Sequence, residues 1–248
     1  MRLYVIGDVH GHLDKLKAAH DRVFRDGGRN AVIAHVGDLI DRGPDSRGVV
    51  EYLMTGQAQG RPWTVTRGNH DRFLPQYVMQ PDWVDPDLSS RLHWTLHSGL
   101  GAPETLRSYG VDPTLAPDRM LAEAKRAVPG VHAAYLASLP LYFLHPLALV
   151  VHAGIRPGVD LQDQTEEDLV WIRQDFLNSP VDHGPLVVHG HTPVRHPTHY
   201  GNRVNIDSGA GHGGPLTAIR LDAEGVWVLG EGPPRPLRPK TASGRPAT

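Results

Sequence analysis

The sequence predicts an α/β fold in which buried strands carry polar residues to one sheet edge. Three observations support this: short apolar runs recur along the chain, each ends in a polar loop that contains glycine, and helical patterns follow the first runs. The run at 31–36 leads straight into Gly37-Asp38-Leu39-Ile40-Asp41-Arg42-Gly43 and then into the turn Gly43-Pro44-Asp45-Ser46. Two carboxylates and a guanidinium therefore lie on the loop that leaves a buried strand, where open α/β sheets bind their ligands. Asp38 has two oxygens, enough to bridge two cations, and Arg42 has a planar fork of donors that fits a phosphate. Taken singly, a strand-end Asp reads as a turn former, and Asp41 with Arg42 as a surface ion pair.

The first run, 3–6, ends in Gly7-Asp8-Val9-His10-Gly11 and is followed by a helix with Leu13, Leu16, Ala19 and Val23 on one face. Asp8 and His10 are two residues apart, so their side chains can share a direction. After the central loop, Asp45 or Ser46 can cap a helix running to residue 56. The run at 63–66 ends in Arg67-Gly68-Asn69-His70-Asp71, where a buried Asn needs a partner for its carbonyl oxygen and His70 suits proton transfer. Residues 72–140, with Pro86, Pro103, Pro113, Pro117 and Pro129 as breaks, read as an insertion of short helices forming a cap beside the sheet. Asp85-Pro86-Asp87 lacks the Gly and final Glu of a calcium loop.

Strand patterns resume at 147–151 and 186–188, which end in His152-Ala153-Gly154 and His189-Gly190-His191-Thr192. Between them, Thr165-Glu166-Glu167-Asp168 reads as a capping box opening a short helix that carries Trp171 and Arg173. The glycine-rich stretch 205–214 precedes a strand pattern at 216–221 rather than a helix, which excludes a dinucleotide fingerprint. Residues 226–229 read as the hairpin partner of that strand. From Gly232 the chain is rich in Pro, Arg and Lys, so 1–231 read as one domain and 232–248 as a disordered tail.

Composition narrows the chemistry. The 248 residues include 25 basic and 27 acidic side chains, a formal charge of -2, so neither nucleic acid nor an anionic membrane is an implied partner. With no cysteine, metal sites must be built from His, Asp, Glu and Asn. Of the 16 histidines, His12, His20, His93, His97, His132, His196 and His199 read as solvated or hydrogen-bonded rather than ligating. The absence of a signal peptide pattern and of an apolar run approaching about 18 residues makes a cytoplasmic protein the expectation.

Gly7-Asp8-x-His10-Gly11, Gly37-Asp38-x-x-Asp41-Arg42-Gly43, Gly68-Asn69-His70-Asp71, His152-Ala153-Gly154 and Gly190-His191-Thr192, in this order, resemble the metallophosphoesterases. Within these, they resemble the phosphoprotein phosphatase family, whose bacterial members include diadenosine tetraphosphate hydrolases. The resemblance covers roughly residues 1–75 and 147–230, and five ordered motifs make it specific. It implies a calcineurin-like β-sandwich flanked by helices. It also implies two divalent cations (Mn, with Fe or Zn as alternatives), one held by Asp8, His10 and Asp38 and the other by Asp38, Asn69, His152 and His191. Arg42 and Arg173 match the phosphate-binding arginines, and His70, oriented by Asp41, matches the group that protonates the leaving oxygen. His189 receives no ligand role, and the glycines after Asn205 are expected to pack closely beside the site.

The activity implied is phosphoester hydrolysis with an activated water as nucleophile. The leading expectation is a serine/threonine phosphoprotein phosphatase, and the alternative, which the local motifs do not separate from it, is a symmetrical dinucleoside polyphosphate (diadenosine tetraphosphate) hydrolase. Trp83 and Trp94 lie in helix-like apolar patterns that suit core packing better than base stacking, which favours a shallow site open to phosphorylated side chains. A catalytically dead phosphate-binding scaffold would have lost a ligand or His70, and all are present.

Overall fold

The computed structural model describes residues 1–240. Strand β1 (Leu3–Ile6), helix α1 (Leu13–Gly27), strand β2 (Ile33–His35), helix α2 (Ser46–Ala58) and strand β3 (Trp63–Val65) form two parallel crossovers. The insertion supplies α3 (Phe73–Met79), α4 (Ala102–Ser108), α5 (Pro117–Ala127) and α6 (Gly130–Ser138). Then come β4 (Tyr142–His145), β5 (Ala148–Val151), α7 (Glu166–Trp171), α8 (Gln174–Leu177), β6 (Val187–His189), β7 (Thr198–His199) and β8 (Arg203–Asn205). The hairpin β9 (Ala218–Asp222) and β10 (Gly225–Leu229) and the short β11 (Arg235–Pro236) complete the described chain.

Two mixed sheets result, ordered β11-β10-β9-β1-β2-β3 and β4-β5-β6-β8-β7. Alternation along β1 assigns its two faces. Leu3 and Val5 join Ala34, Val150, Val188 and Val204 in the core between the sheets, whereas Tyr4 and Ile6 face the helices. On that outer face the insertion helices share one apolar cluster with α1 and α2, through Phe73, Leu106 and Leu136 beside Leu16 and Leu53. The far face of the second sheet is covered by α7, α8 and the link between them through Leu169, Phe176 and Ile172 respectively. Asp45, rather than Ser46, caps α2, its Oδ1 accepting from Gly48 N at 2.8 Å. Thr165 caps α7 as its pattern predicts, and Arg173 lies just beyond that helix instead of on it.

The region after Gly232 departs from the expected disorder as far as it is described. Trp227 and Val228 pair with Pro236 and Arg235, Leu237 N donates to Val226 O at 2.7 Å, and Lys240 N donates to His199 O at 2.8 Å. β10 would otherwise leave an open edge, where a strand containing proline is tolerated, and Leu237 packs against the core between the sheets. Residues 241–248, the rest of the expected tail, lie outside the described residues.

Candidate active site

The five strand ends converge. Asp8 and His10 follow β1, Asp38 to Arg42 follow β2, Asn69 and His70 follow β3, His152 follows β5, and His191 lies two residues past β6. The loops are held in an uncommon conformation: His10, Asp38, Asp41, Arg42 and His191 all have positive φ, between 46° and 74°. Non-glycine residues persist there only where their surroundings impose it. Here His10 N and Gly11 N donate to Asp38 O and Leu39 O at 2.7 and 2.8 Å. Asp71 staples the second loop to the third, its two oxygens accepting from Leu39 N and Gly68 N, each at 2.8 Å.

Asp38 stands at the middle. His10 Nε2 lies 3.4 Å from its Oδ2, and His152 Nε2 lies 3.4 Å from its Oδ1. Each imidazole places its other nitrogen against a backbone carbonyl, His10 on Ile40 O at 3.0 Å and His152 on Val36 O at 2.9 Å. A carbonyl only accepts, so Nδ1 carries the proton and Nε2 turns a bare lone pair inward. Burial lowers the basicity of both rings, favouring the neutral form that ligates metals.

The arrangement has the form of a cation site. With the Asn69 amide oriented as it is, its Oδ1 lies 2.9 Å from His152 Nε2 and 3.0 Å from His191 Nδ1, so that two acceptors meet at His152. Asp8 Oδ1 and His191 Nε2 are buried without a hydrogen-bond partner. Burial, then Asp207 and Asp38, push the Asp8 carboxyl well above the usual carboxylate range. Bound cations would resolve each of these features, and a donor set of imidazole, carboxylate and amide oxygen suits borderline metals. Among the described carboxylates and imidazoles, His10, Asp38 and His70 form one group, and Asp8, Asp38 and His152 another, in which the candidate donor atoms lie within 4.8 Å of one another. This division differs from the one the motifs imply, but Asp38 is common to both groups.

Arg42 donates from Nη1 to His10 Nε2 at 2.6 Å and from Nη2 to His70 Nε2 at 3.1 Å. A cation on His10 would take that lone pair and free the guanidinium for a phosphate. His70 Nδ1 donates to Asp41 Oδ2 at 2.7 Å. Arg173 donates to Thr192 Oγ1 at 3.3 Å and shares with Arg42 the lining of a cleft of about 630 Å³, whose walls include Leu88, Leu100 and Trp171. A larger hollow of about 840 Å³ beside β4 contains none of these residues.

Each of the ten predicted site residues is thus placed at this cleft or in the cluster beneath it. His189 points elsewhere, its Nε2 meeting Arg203 Nη1 at 3.1 Å. Gly211 presses so closely on the ring of His10 that a Cβ would stand 2.6 Å from Cδ2. Sequence reasoning missed the contacts made by Asp71 and Asp207 and those by which Trp94 Nε1, at 3.1 Å, and the Thr105 hydroxyl, at 2.7 Å, donate to the Asp41 carboxylate. Asp71 closes a quoted motif and could have been found; Trp94 and Thr105 have no local signal. No helix among the described residues is long and apolar enough to cross a membrane.

Nitrogen and oxygen donors around a shared carboxylate, with guanidinium groups at the mouth, define the class as metallophosphoesterase. Residues 1–223 match the calcineurin-like phosphoesterase family, and the chain belongs to it. It is 28% identical to the bis(5'-nucleosyl)-tetraphosphatase PrpE [asymmetrical] of Halalkalibacterium halodurans, over 89% of this chain and 90% of that one. The protein of the same description from Bacillus anthracis is 26% identical over the same shares. Among solved structures, a putative diadenosine tetraphosphatase superposes with a TM-score of 0.60 at 20% identity, covering 94% of this chain and 93% of that one. A cold-active protein-tyrosine phosphatase of a Shewanella species gives a TM-score of 0.61 at 15% identity, over 96% and 80%. These structural likenesses establish the fold.

Proposed function

We propose that the protein hydrolyses dinucleoside polyphosphates with two divalent cations, Mn or alternatively Fe or Zn, held by Asp8, His10 and Asp38 and by Asp38, Asn69, His152 and His191. The observation that carries the metal reading is the Asp38 carboxylate, each oxygen faced by the bare Nε2 of a histidine tied back to a carbonyl. The cations would supply Lewis acidity toward the phosphoryl oxygens and the attacking water. Arg42 and Arg173 hold non-bridging oxygens and stabilise the charge of the transition state. His70, with Nδ1–H committed to Asp41, delivers a proton to the leaving oxygen from Nε2 once Arg42 has moved from that nitrogen to the phosphate and the ring has taken up a second proton.

The substrate reading is supported by the curated relatives, which match along about nine tenths of both chains. It is also supported by the cleft wall. Trp94 is buried and Trp83 packs against Phe73, whereas Trp171 lines the cleft with Leu88 and Leu100 and provides an apolar wall suited to a nucleoside. The second reading, a phosphoserine or phosphothreonine substrate, draws on the His70 and Asp41 pair, because an alcohol needs a proton on leaving more than a phosphate does. Specificity constants for diadenosine tetraphosphate and a phosphothreonine peptide, measured with Mn, separate the two. A preference of about tenfold for the dinucleotide is expected, on the scale one pocket contact can discriminate. A preference for the peptide would move the assignment to the second reading, and metal-independent turnover would overturn both.

A further inference from the structure

Asp41 is held by more groups than its partnership with His70 requires. Its Oδ2 accepts from His70 Nδ1 at 2.7 Å and from Trp94 Nε1 at 3.1 Å, while Oδ1 accepts from the Thr105 hydroxyl at 2.7 Å. The Asp41 N–H donates to Thr105 Oγ1 at 2.9 Å and to Ser46 Oγ at 3.1 Å. Because Thr105 gives its only hydroxyl proton to Asp41, the 3.0 Å contact between the two hydroxyls has Ser46 as donor. Asp41 thus has both its carboxylate and its left-handed backbone fixed by residues 53 and 64 positions further along the chain.

Trp94 and Thr105 both belong to the insertion. Trp94 is 2% exposed, and its indole lies almost parallel to Phe73, at 5° and 6.2 Å between centroids; Phe73 in turn meets the His70 ring edge-on at 5.6 Å. The indole therefore has one fixed direction for its N–H. Thr105 is wholly buried in α4.

We propose that Trp94 and Thr105 are positioning residues for the leaving-group proton, locking the Asp41 carboxylate so that Oδ2 is presented to His70 Nδ1 and Nε2 is held toward the cleft. A lone aspartate can rotate about its terminal torsion, and the imidazole would turn with it. Two neutral donors, one on each oxygen, remove that freedom. In the step they serve, His70 acts in its doubly protonated form, with Nε2 released from Arg42, and the Nε2 proton passes to the oxygen whose bond to phosphorus breaks. The Nδ1 proton stays on the ring, hydrogen-bonded to Asp41. The insertion on this view supports the catalytic loop from behind. The inference rests on the reading of His70 as the acid, but on neither choice of substrate.

The test uses Trp94→Phe, which keeps the stacked ring and removes the N–H, and Thr105→Val, with Thr105→Ser as the conservative partner. On an alkyl phosphate, whose leaving group needs the proton, kcat should fall about tenfold with KM little changed, against less than about threefold on p-nitrophenyl phosphate. Thr105→Ser should recover most of the loss. The downfield proton resonance of His70 Nδ1–H should shift or broaden in Trp94→Phe, and this can be read even if Thr105→Val fails to fold. Equal losses on both substrates, or an unchanged resonance and no loss, would overturn the positioning role. His70→Asn is the control: if it costs both substrates equally, the acid reading itself falls and takes this inference with it. If it discriminates between them while Trp94→Phe does not, only the positioning role is lost.

Discussion

Gly68 has no room for a side chain because the Asp38 carboxylate fills the space: a Cβ at this position would collide with Asp38 Oδ1 and with the Asp38 backbone nitrogen. The neighbour is part of a loop that is itself held at positive φ, so it cannot give way cheaply. Gly68→Ala should lower stability by about 2 kcal/mol, in the range for overpacking, and the thermal midpoint by about 4–8 °C. Turnover should fall further than stability does, because the displaced group is the proposed metal bridge. Calorimetry and an assay with p-nitrophenyl phosphate check both; wild-type turnover would remove Asp38 from the centre of the mechanism.

Asp38→Asn should weaken binding of both cations together, because the two carboxylate oxygens face different histidines. Equilibrium dialysis with Mn reads the stoichiometry, and loss of one ion alone would deny the bridge. Protein stripped with a chelator should regain activity with Mn far better than with Ca, since imidazole donors suit the former and Ca prefers an all-oxygen shell.

A second pair of histidines makes folding sensitive to acid. His20 Nε2 and His35 Nε2 lie 2.9 Å apart, and burial depresses His20 to about 2, with His35 contributing, and His35 to about 4. Both values lie below the ordinary imidazole pKa, so the unfolded chain binds protons that the folded chain refuses. Stability is therefore fully present above about pH 6.5 and lost as pH falls toward 4, by on the order of 2–3 kcal/mol from His35 alone. Thermal midpoints at pH 7.5 and 5 should differ less in the double variant His20→Leu with His35→Leu than in the wild type. An unchanged difference would place the acid sensitivity elsewhere.

Truncation after Gly232 should cost stability. It removes the β11 pairing and the packing of Leu237, for a loss of about 1–2 kcal/mol at urea midpoint, while turnover of the folded fraction stays near wild type. An unchanged midpoint would mean that the edge pairing contributes nothing in solution.

The clustering of the candidate donors was legible because they are local punctuation. Asp8, Asp38, Asn69, His152 and His191 each follow an apolar run by a few residues, so a strand pattern and a polar loop suffice to place them. The order β11-β10-β9-β1-β2-β3 was not legible, since pairing across about 200 residues leaves no periodic trace. Trp94 and Thr105 escaped for a related reason. Their apolar or helical settings read as core, which is correct for the ring and the helix, but the single polar atom each turns to Asp41 depends on tertiary placement. The edge pairing of 235–240 escaped because prolines and cations mask one useful leucine.

The antiparallel pairing of Tyr4 with Arg220 also concerns timing. β1 is an interior strand, one of whose neighbours is β2 and the other β9. On a ribosome adding about 5–20 residues per second, the first strand would wait roughly 10–40 s for that partner. Throughout that interval its free edge, followed by the loop of Asp8 and His10, stays available to any other extended chain. A nascent chain of this protein therefore has an interval of vulnerability set by topology, and chaperone dependence during synthesis should end only when the hairpin of β9 and β10 has left the exit tunnel.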